Sequence, residues 1–138
     1  MQTILRILKQ AGGWHHGLYL KIENPPYMAL VIEATDDSGP CGLPSISVAH
    51  YGEQNGDLMR DPEMCFELGM ADGPNLTAFY YRNDFVGVEQ WSRTIVRDNY
   101  VYLVSLHQQH ERFAKGWDNN LRLQGFAEAF EQQQTPRA

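Results

Sequence analysis

The sequence has 138 residues, of which 43% are hydrophobic and 20% are charged. This length and balance are typical of one folded globular domain and exclude a disordered chain. The formal net charge of −6 argues against direct nucleic-acid binding, because such surfaces are built from clustered lysine and arginine. No stretch approaches the ~20 apolar residues that a membrane-spanning helix needs, so we also predict no membrane contact.

The N-terminal segment MQTILRILKQAGG places apolar residues at helical spacing and ends in two glycines. Polar residues interrupt its apolar part, and no small-residue cleavage site follows it. We therefore predict an amphipathic helix over 3–11 and not a signal peptide. Without an export signal, Cys41 and Cys65 are expected to remain reduced thiols, and we predict a cytoplasmic protein.

The middle of the chain reads as a succession of strands. Residues 17–23 alternate between apolar and polar side chains, and a loop rich in Gly, Pro, Asp and Ser occupies 36–44. The predicted strands are 17–23, 27–35, 45–51, 63–70, 76–82 and 85–91. The dipeptide Asn83-Asp84 links the last two as a tight hairpin, since both residues tolerate positive φ. Short links throughout favour an antiparallel meander.

The last third of the chain changes to a helical pattern, with Asp98 as a candidate N-cap and an apolar stripe behind it. The stripe consists of Leu103, Leu106, His110, Phe113, Trp117 and Leu121. Gly116 leaves open whether 99–124 forms one helix or two, and a short helix is predicted to follow Gly125. The predicted fold class is α+β, with an N-terminal helix, a curved antiparallel sheet of about five or six strands, and a C-terminal helix or helices packed on one face. We predict a single domain over 1–132 and a loose tail over 133–138.

The segment HYGEQNGDLMRDPEM, residues 50–64, is dense in acids and in turn residues. Asp57, Asp61 and Glu63 are oxygen ligands of the kind that Mg²⁺ or Mn²⁺ prefer, so a metal-dependent hydrolase is one alternative. His50 alternates with apolar residues, and strand parity places it on the opposite face from Glu63, which weakens a site built from both. A bulge would shift that parity. The competing interpretation is structural, because Asn-Gly and Asp-Pro dipeptides are typical of turns.

A second metal alternative lies in the sequence HQQHE. His107 and His110 are three residues apart on the predicted helix, and Glu111 is adjacent. The order differs from the zinc-protease helix motifs, and His110 falls on the apolar stripe. A packed histidine is therefore the favoured interpretation, and we predict no cofactor.

The acidic residues concentrate in one part of the chain. Residues 50–90 carry eight acids against two arginines, whereas the flanks nearly cancel. Aromatic residues crowd the same region at Tyr80, Tyr81, Phe85 and Trp91, and Tyr and Trp anchor protein interfaces. The predicted binding residues are Glu53, Asp57, Arg60, Asp61, Tyr81, Asp84 and Glu89.

Three segments carry a resemblance to a known family: HYGEQNGDLMRDPEMCF, YYRNDFVGVEQ and WDNNLRLQGF. Together they resemble a family of small uncharacterised bacterial proteins, a domain of unknown function found on plasmids and integrative mobile elements. The resemblance spans most of residues 15–126. It implies no activity or site, but it implies a context in which accessory proteins act on host defence, regulation or transfer.

Our leading hypothesis is a non-enzymatic accessory protein of a mobile element. It would bind a host or element protein through the acidic, aromatic-bearing surface, and counter-defence against a nucleic-acid-binding host protein is one specific version. The metal-dependent hydrolase that uses Asp57, Asp61 and Glu63 near His50 is the first alternative. A homo-oligomeric scaffold that pairs through sheet edges or the C-terminal helix is the second.

Overall fold

The computed structural model describes residues 1–134. Helix α1 spans Gln2–Gln10, α2 spans Val104–Leu123 and α3 spans Phe126–Gln134. The main sheet contains β1 Tyr19–Asn24, β2 Tyr27–Ala34, β3 Ser45–Gln54, β4 Asp57–Gly69, β5 Asn75–Asn83 and β6 Val88–Trp91. A separate two-stranded sheet contains β7 Arg93–Val96 and β8 Asn99–Tyr102.

The predicted α+β fold class is confirmed. The six strands of the main sheet follow one another in chain order, and every neighbouring pair is antiparallel. All three helices contribute to one apolar core on one face of this sheet. Fully buried members of that core are Ile4, Ile7, Ile22, Leu30, Ile32, Ile46, Val48, Met64, Phe66, Leu121, Phe126 and Phe130. No helix within residues 1–134 has the length and hydropathy to cross a membrane.

The segment between the third and fourth strands differs from the prediction. Residues 52–62 are not a loop, because β3 continues to Gln54 and β4 already begins at Asp57. The turn is confined to Asn55 and Gly56, whose φ values of 52° and 85° fit a two-residue hairpin turn. The predicted turn at Asp61-Pro62 is wrong, since both residues lie inside β4.

A bulge in β4 changes which side chains share a face. Ala49 pairs with Glu63, but Tyr51 pairs with Arg60, so β4 holds one more residue than β3 between these two pairs. Arg60 and Glu63 therefore share a face although they are three positions apart. His50 lies on the other face with the core, as its alternation predicted.

The hairpin between the fifth and sixth strands is longer than predicted. Strand β5 ends at Asn83 and β6 begins only at Val88, so the link is residues 84–87 and not Asn83-Asp84. The Asn83 side chain accepts a hydrogen bond from the Phe85 amide at 3.0 Å, which holds the start of this loop.

The segment after Trp91 departs most from the prediction. The predicted helix over 99–124 begins only at Val104, and Asp98 does not cap it. Asp98 instead forms the tight turn of the β7–β8 hairpin with Arg97, and both have positive φ. From Val104 onward the helix is continuous across Gly116, so it is one helix. Of the predicted stripe, His110, Trp117 and Leu121 are buried, whereas Leu103 and Phe113 are exposed.

The final helix was predicted correctly, and it includes Gln133 and Gln134. These two residues belong to the segment predicted as a tail. The other four residues of that segment, 135–138, lie outside the described residues.

Candidate functional site

The face of the main sheet opposite the core helices, here called the open face, carries a grid of polar and aromatic side chains. Strand register places one row of neighbours across all six strands: Tyr19, Glu33, Ser47, Cys65, Tyr80 and Trp91. The adjacent row is Lys21, Val31, Ala49, Glu63, Arg82 and Glu89. Tyr19 and Trp91, at the two ends of the first row, are 58% and 46% exposed. Large aromatic surface is therefore available to a partner at both ends.

A chain of ionic contacts crosses the open face from β3 to the β5–β6 hairpin. Ser47 donates a hydrogen bond to Glu63 at 2.5 Å, and Arg60 Nε lies 3.1 Å from the other oxygen of that carboxylate. The backbone N–H of Arg60 donates to Asp84 Oδ2 at 2.8 Å. Arg82 Nε then donates to Asp84 Oδ1 at 2.6 Å. The bulge in β4 makes this chain possible, because it places Arg60 on the same face as Glu63.

Hydrogen bonds and burial shift the pKa values of several groups on the open face. The Arg60 amide, followed by the Arg82 guanidinium, holds the pKa of the Asp84 carboxyl below its ordinary value. Tyr80 donates its hydroxyl to Glu89 at 2.5 Å, and burial together with that bond raises the pKa of Tyr80. Burial, followed by the Glu63 charge, raises the pKa of Cys65 to about 12. The Cys65 thiol is therefore protonated at neutral pH, which makes it a poor nucleophile.

Two shallow depressions flank Arg60 on the open face. The first, about 480 Å³, is lined on one side by Tyr19 and Lys21 and on the other by Tyr51 and Arg60. The second, about 350 Å³, runs from Arg60 to Trp91. Because Arg60 lines both, the two depressions lie next to each other on the open face. Open depressions of this kind suit a broad contact better than an enclosed small-molecule pocket does.

The structure brings together some of the predicted binding residues. Arg60, Asp84 and Glu89 belong to the ionic chain of the open face. Glu53 and Asp57 lie at the exposed tip of the β3–β4 hairpin and form no ion pair within residues 1–134.

Two other predicted binding residues have structural partners. Asp61 accepts a hydrogen bond from the side-chain amide of Asn83 at 2.9 Å. Tyr81 lies on the core face, where its ring packs against Phe113 and His110. Sequence reasoning missed Arg82 and the pairing of Glu63 with Arg60. Acids outnumber arginines in this region, so the sequence does not indicate which acid each arginine contacts. The bulge is not visible in the sequence either.

The alternative carboxylate site does not converge. Asp57 is exposed at a hairpin tip, Asp61 is bonded to Asn83, and Glu63 is engaged by Ser47 and Arg60 on the open face. His50 is on the core face, only 8% exposed, with Nδ1 3.2 Å from the Ala29 carbonyl oxygen. Within residues 1–134, no three His, Cys, Asp or Glu side chains are arranged to hold a metal ion.

The helical histidines also point to separate partners. His110 is buried, and its two ring nitrogens lie 2.9 Å from Ser92 Oγ and 3.1 Å from Gln90 Oε1. Burial, followed by the charge of His107, lowers the pKa of His110. Glu111 accepts a hydrogen bond from the Ala78 backbone amide at 2.9 Å and lies 3.5 Å from His107. His107 and Glu111 are thus neighbours, whereas His110 is a packed histidine.

One end of the open face is closed by the loop over 36–44 and by the β7–β8 hairpin. Glu67 and Arg93 form a buried ion pair there. The second oxygen of Glu67 accepts the backbone N–H of Cys41 at 2.9 Å. Arg93 also donates to the Tyr100 hydroxyl at 2.9 Å. These bonds join β4, the loop and the hairpin, so the ion pair holds the loop and the hairpin against the main sheet.

Comparison with known protein families yields a match over most of the chain. The family described as Domain of unknown function (DUF6908) matches residues 2–127. A search of curated proteins found no match. A search of solved structures found none either.

Proposed function

Since the chain belongs to the DUF6908 family, whose description gives no activity, we propose from the geometry that it is a non-enzymatic protein-binding module. The open face, together with the β3–β4 hairpin tip, would be its binding surface. The observation that carries the proposal is the pair of depressions beside Arg60. Exposed aromatics and partly exposed arginines lie there on a sheet face that no helix within residues 1–134 covers. Arg, Tyr and Trp are the residues most often responsible for binding energy at protein interfaces.

The charges of this surface favour a partner with basic groups. Arg60 and Arg82 neutralise part of the local acidity through Glu63, Asp84 and Glu89. The acids that remain without an ion pair in residues 1–134 include Glu53 and Asp57 at the hairpin tip. Exposed charges of this kind steer a complementary partner and raise the association rate.

The role of this module within a mobile element rests on the sequence resemblance alone. Counter-defence, in which the acids occupy a nucleic-acid groove on a host protein, is a specific version of the same proposal. We do not propose the hydrolase, because its carboxylates and His50 point to different partners.

Affinity purification with matched variants would test the proposal. The wild-type chain would be compared with Trp91→Ala and with the double variant Glu53→Lys/Asp57→Lys. Leu123→Ala is the control, since Leu123 is 68% exposed on α2, away from the open face. We expect a partner that co-purifies with the wild type and the control but is depleted at least tenfold with both test variants. The proposal is wrong if every co-purifying protein is retained equally by all four chains, or if none co-purifies with any.

A further inference from the structure

The β7–β8 hairpin and the start of α2 expose an unusual amount of apolar surface. Six large hydrophobic side chains within ten residues are between 45% and 51% exposed. They are Ile95, Val96, Tyr100, Tyr102, Leu103 and Val104. Soluble monomers rarely expose contiguous apolar patches of this kind unless the patch binds something.

The outer edge of β8 also has no partner strand in the part of the chain that the structure describes. The hairpin ladder contains hydrogen-bonded pairs at alternate positions, and the Leu103 amide bonds the Ser92 carbonyl at 2.8 Å. By that alternation, the backbone groups of Tyr100 and Tyr102 point away from β7. Within residues 1–134, β8 pairs only with β7. The unpaired N–H and C=O groups of such an edge are a template for a further strand.

The charge of the hairpin indicates which kind of partner fits the apolar patch and the outer edge of β8. Its exposed charges are Arg97 and Asp98, which cancel, and the next exposed residues on α2, Ser105, Gln108 and Gln109, are uncharged. Two copies of a chain with net charge −6 repel each other over most of their surfaces. An uncharged, tyrosine-bearing patch is where they meet at the lowest electrostatic cost.

We infer that β8 pairs with β8 of a second copy of this chain, antiparallel and about a two-fold axis through Val101. Tyr100 then exchanges backbone hydrogen bonds with Tyr102 of the second copy, and the two Val101 residues form the non-hydrogen-bonded pair at the axis. The two hairpins become one four-stranded sheet. The tyrosines of both copies lie on one face of it, because Tyr100 and Tyr102 share a face in each hairpin. The contact is isologous and closes with two copies, so it does not propagate into a filament.

Sedimentation velocity on the full chain is the first test. We expect a concentration-dependent species of twice the 15.8 kDa of one chain. Val101→Lys places two ammonium groups at the axis, and their repulsion should raise the dissociation constant of the dimer at least tenfold. Leu123→Lys, a similar change at an exposed position outside the hairpin, should leave the dimer unchanged. The inference is wrong if the wild type stays monomeric at every soluble concentration, or if Val101→Lys dimerises as well as the wild type does.

A cross-linking experiment covers the case in which Val101→Lys does not fold. Residues of a non-hydrogen-bonded antiparallel pair have Cβ atoms about 4.5–5.5 Å apart, close to the spacing of a disulfide. Val101→Cys should therefore form a disulfide-linked dimer under mild oxidation, with the linked peptide identified by mass spectrometry to separate it from Cys41 and Cys65. Val96→Cys lies on the same hairpin face but away from the axis, and it should not link. Equal linking by both variants would contradict the proposed register.

This surface is distinct from the open face. A dimer that survives Trp91→Ala but not Val101→Lys would support the pairing whatever the outcome for the protein partner. Loss of the partner in Trp91→Ala, with a monomeric wild type, would support the proposed function and reject the dimer.

Discussion

The carboxylate of Glu67 and the guanidinium of Arg93 form an ion pair whose side chains are only 1% and 7% exposed. The two residues are 26 positions apart, and their contact attaches the β7–β8 hairpin to β4. Arg93→Met should leave the Glu67 charge buried without its partner and lower the free energy of unfolding by about 3–5 kcal/mol. Urea unfolding followed by circular dichroism would measure the loss.

Arg97→Met is the control for this change, since Arg97 is exposed on the same hairpin and should alter stability by less than about 0.5 kcal/mol. The double variant Glu67→Gln/Arg93→Met removes both charges and should recover part of the loss. Equal stability of Arg93→Met and Arg97→Met would show that the buried pair contributes nothing.

Gly39 marks a position where the loop over 36–44 touches Glu67. A Cβ at Gly39 would lie 2.0 Å from Glu67 Cγ, and Glu67 cannot move aside because Arg93 and the Cys41 amide hold its carboxylate. Gly39→Ala should therefore destabilise the fold by about 1–3 kcal/mol. Gly116→Ala is the opposite case, since nothing lies within 4 Å and the residue is inside α2. It should stabilise by about 0.5–1 kcal/mol. Thermal unfolding of both variants would check the two signs.

His50 and His110 make stability depend on pH. Burial lowers the pKa of both below the ordinary histidine value of 6.5, so the unfolded chain binds more protons than the folded chain in mildly acidic solution. The free energy of unfolding should be fully present above pH 6.5 and should fall as pH drops through the lowered pKa values. Urea titrations at a series of pH values between about 7.5 and 5 would measure the slope.

A variant separates this histidine effect from general acid sensitivity. His110→Gln should flatten part of the slope, because it removes one of the two buried imidazoles. Stability that stays constant or rises towards pH 5 in the wild type would contradict the assignment of neutral, buried histidines.

Asp84 holds the hairpins of the open face together. Its carboxylate accepts the Arg60 amide and the Arg82 guanidinium, so Asp84→Ala should leave that amide without a side-chain acceptor. We expect a loss of about 1 kcal/mol in the free energy of unfolding and a weaker interaction with the partner. Asp57→Ala, at the exposed hairpin tip, should weaken partner binding without a comparable loss of stability. A stability loss as large in Asp57→Ala as in Asp84→Ala would argue against this division.

The sequence by itself determined the elements whose signal is local. Alternation and helical spacing identified α1, the six strands of the main sheet and α3, because side chains that share a buried face recur with a fixed period. The same alternation correctly placed His50 on the core face and Glu63 on the other. Alternation did not identify β7 and β8, because the apolar residues 100–106 suit a strand and a helix equally. The turn at Arg97-Asp98, where both residues have positive φ, makes this segment a hairpin.

Only the tertiary structure decided the composition of the candidate site. The bulge in β4 rotates Arg60 onto the face of Glu63, and strand pairing then brings Asp84, Arg82 and Glu89 to the same place. The acids that looked like a cluster in the sequence are separated by that same pairing. Local periodicity records which side of a strand a residue occupies, but register and bulges depend on contacts between residues distant in the chain, and those contacts determine which charges meet.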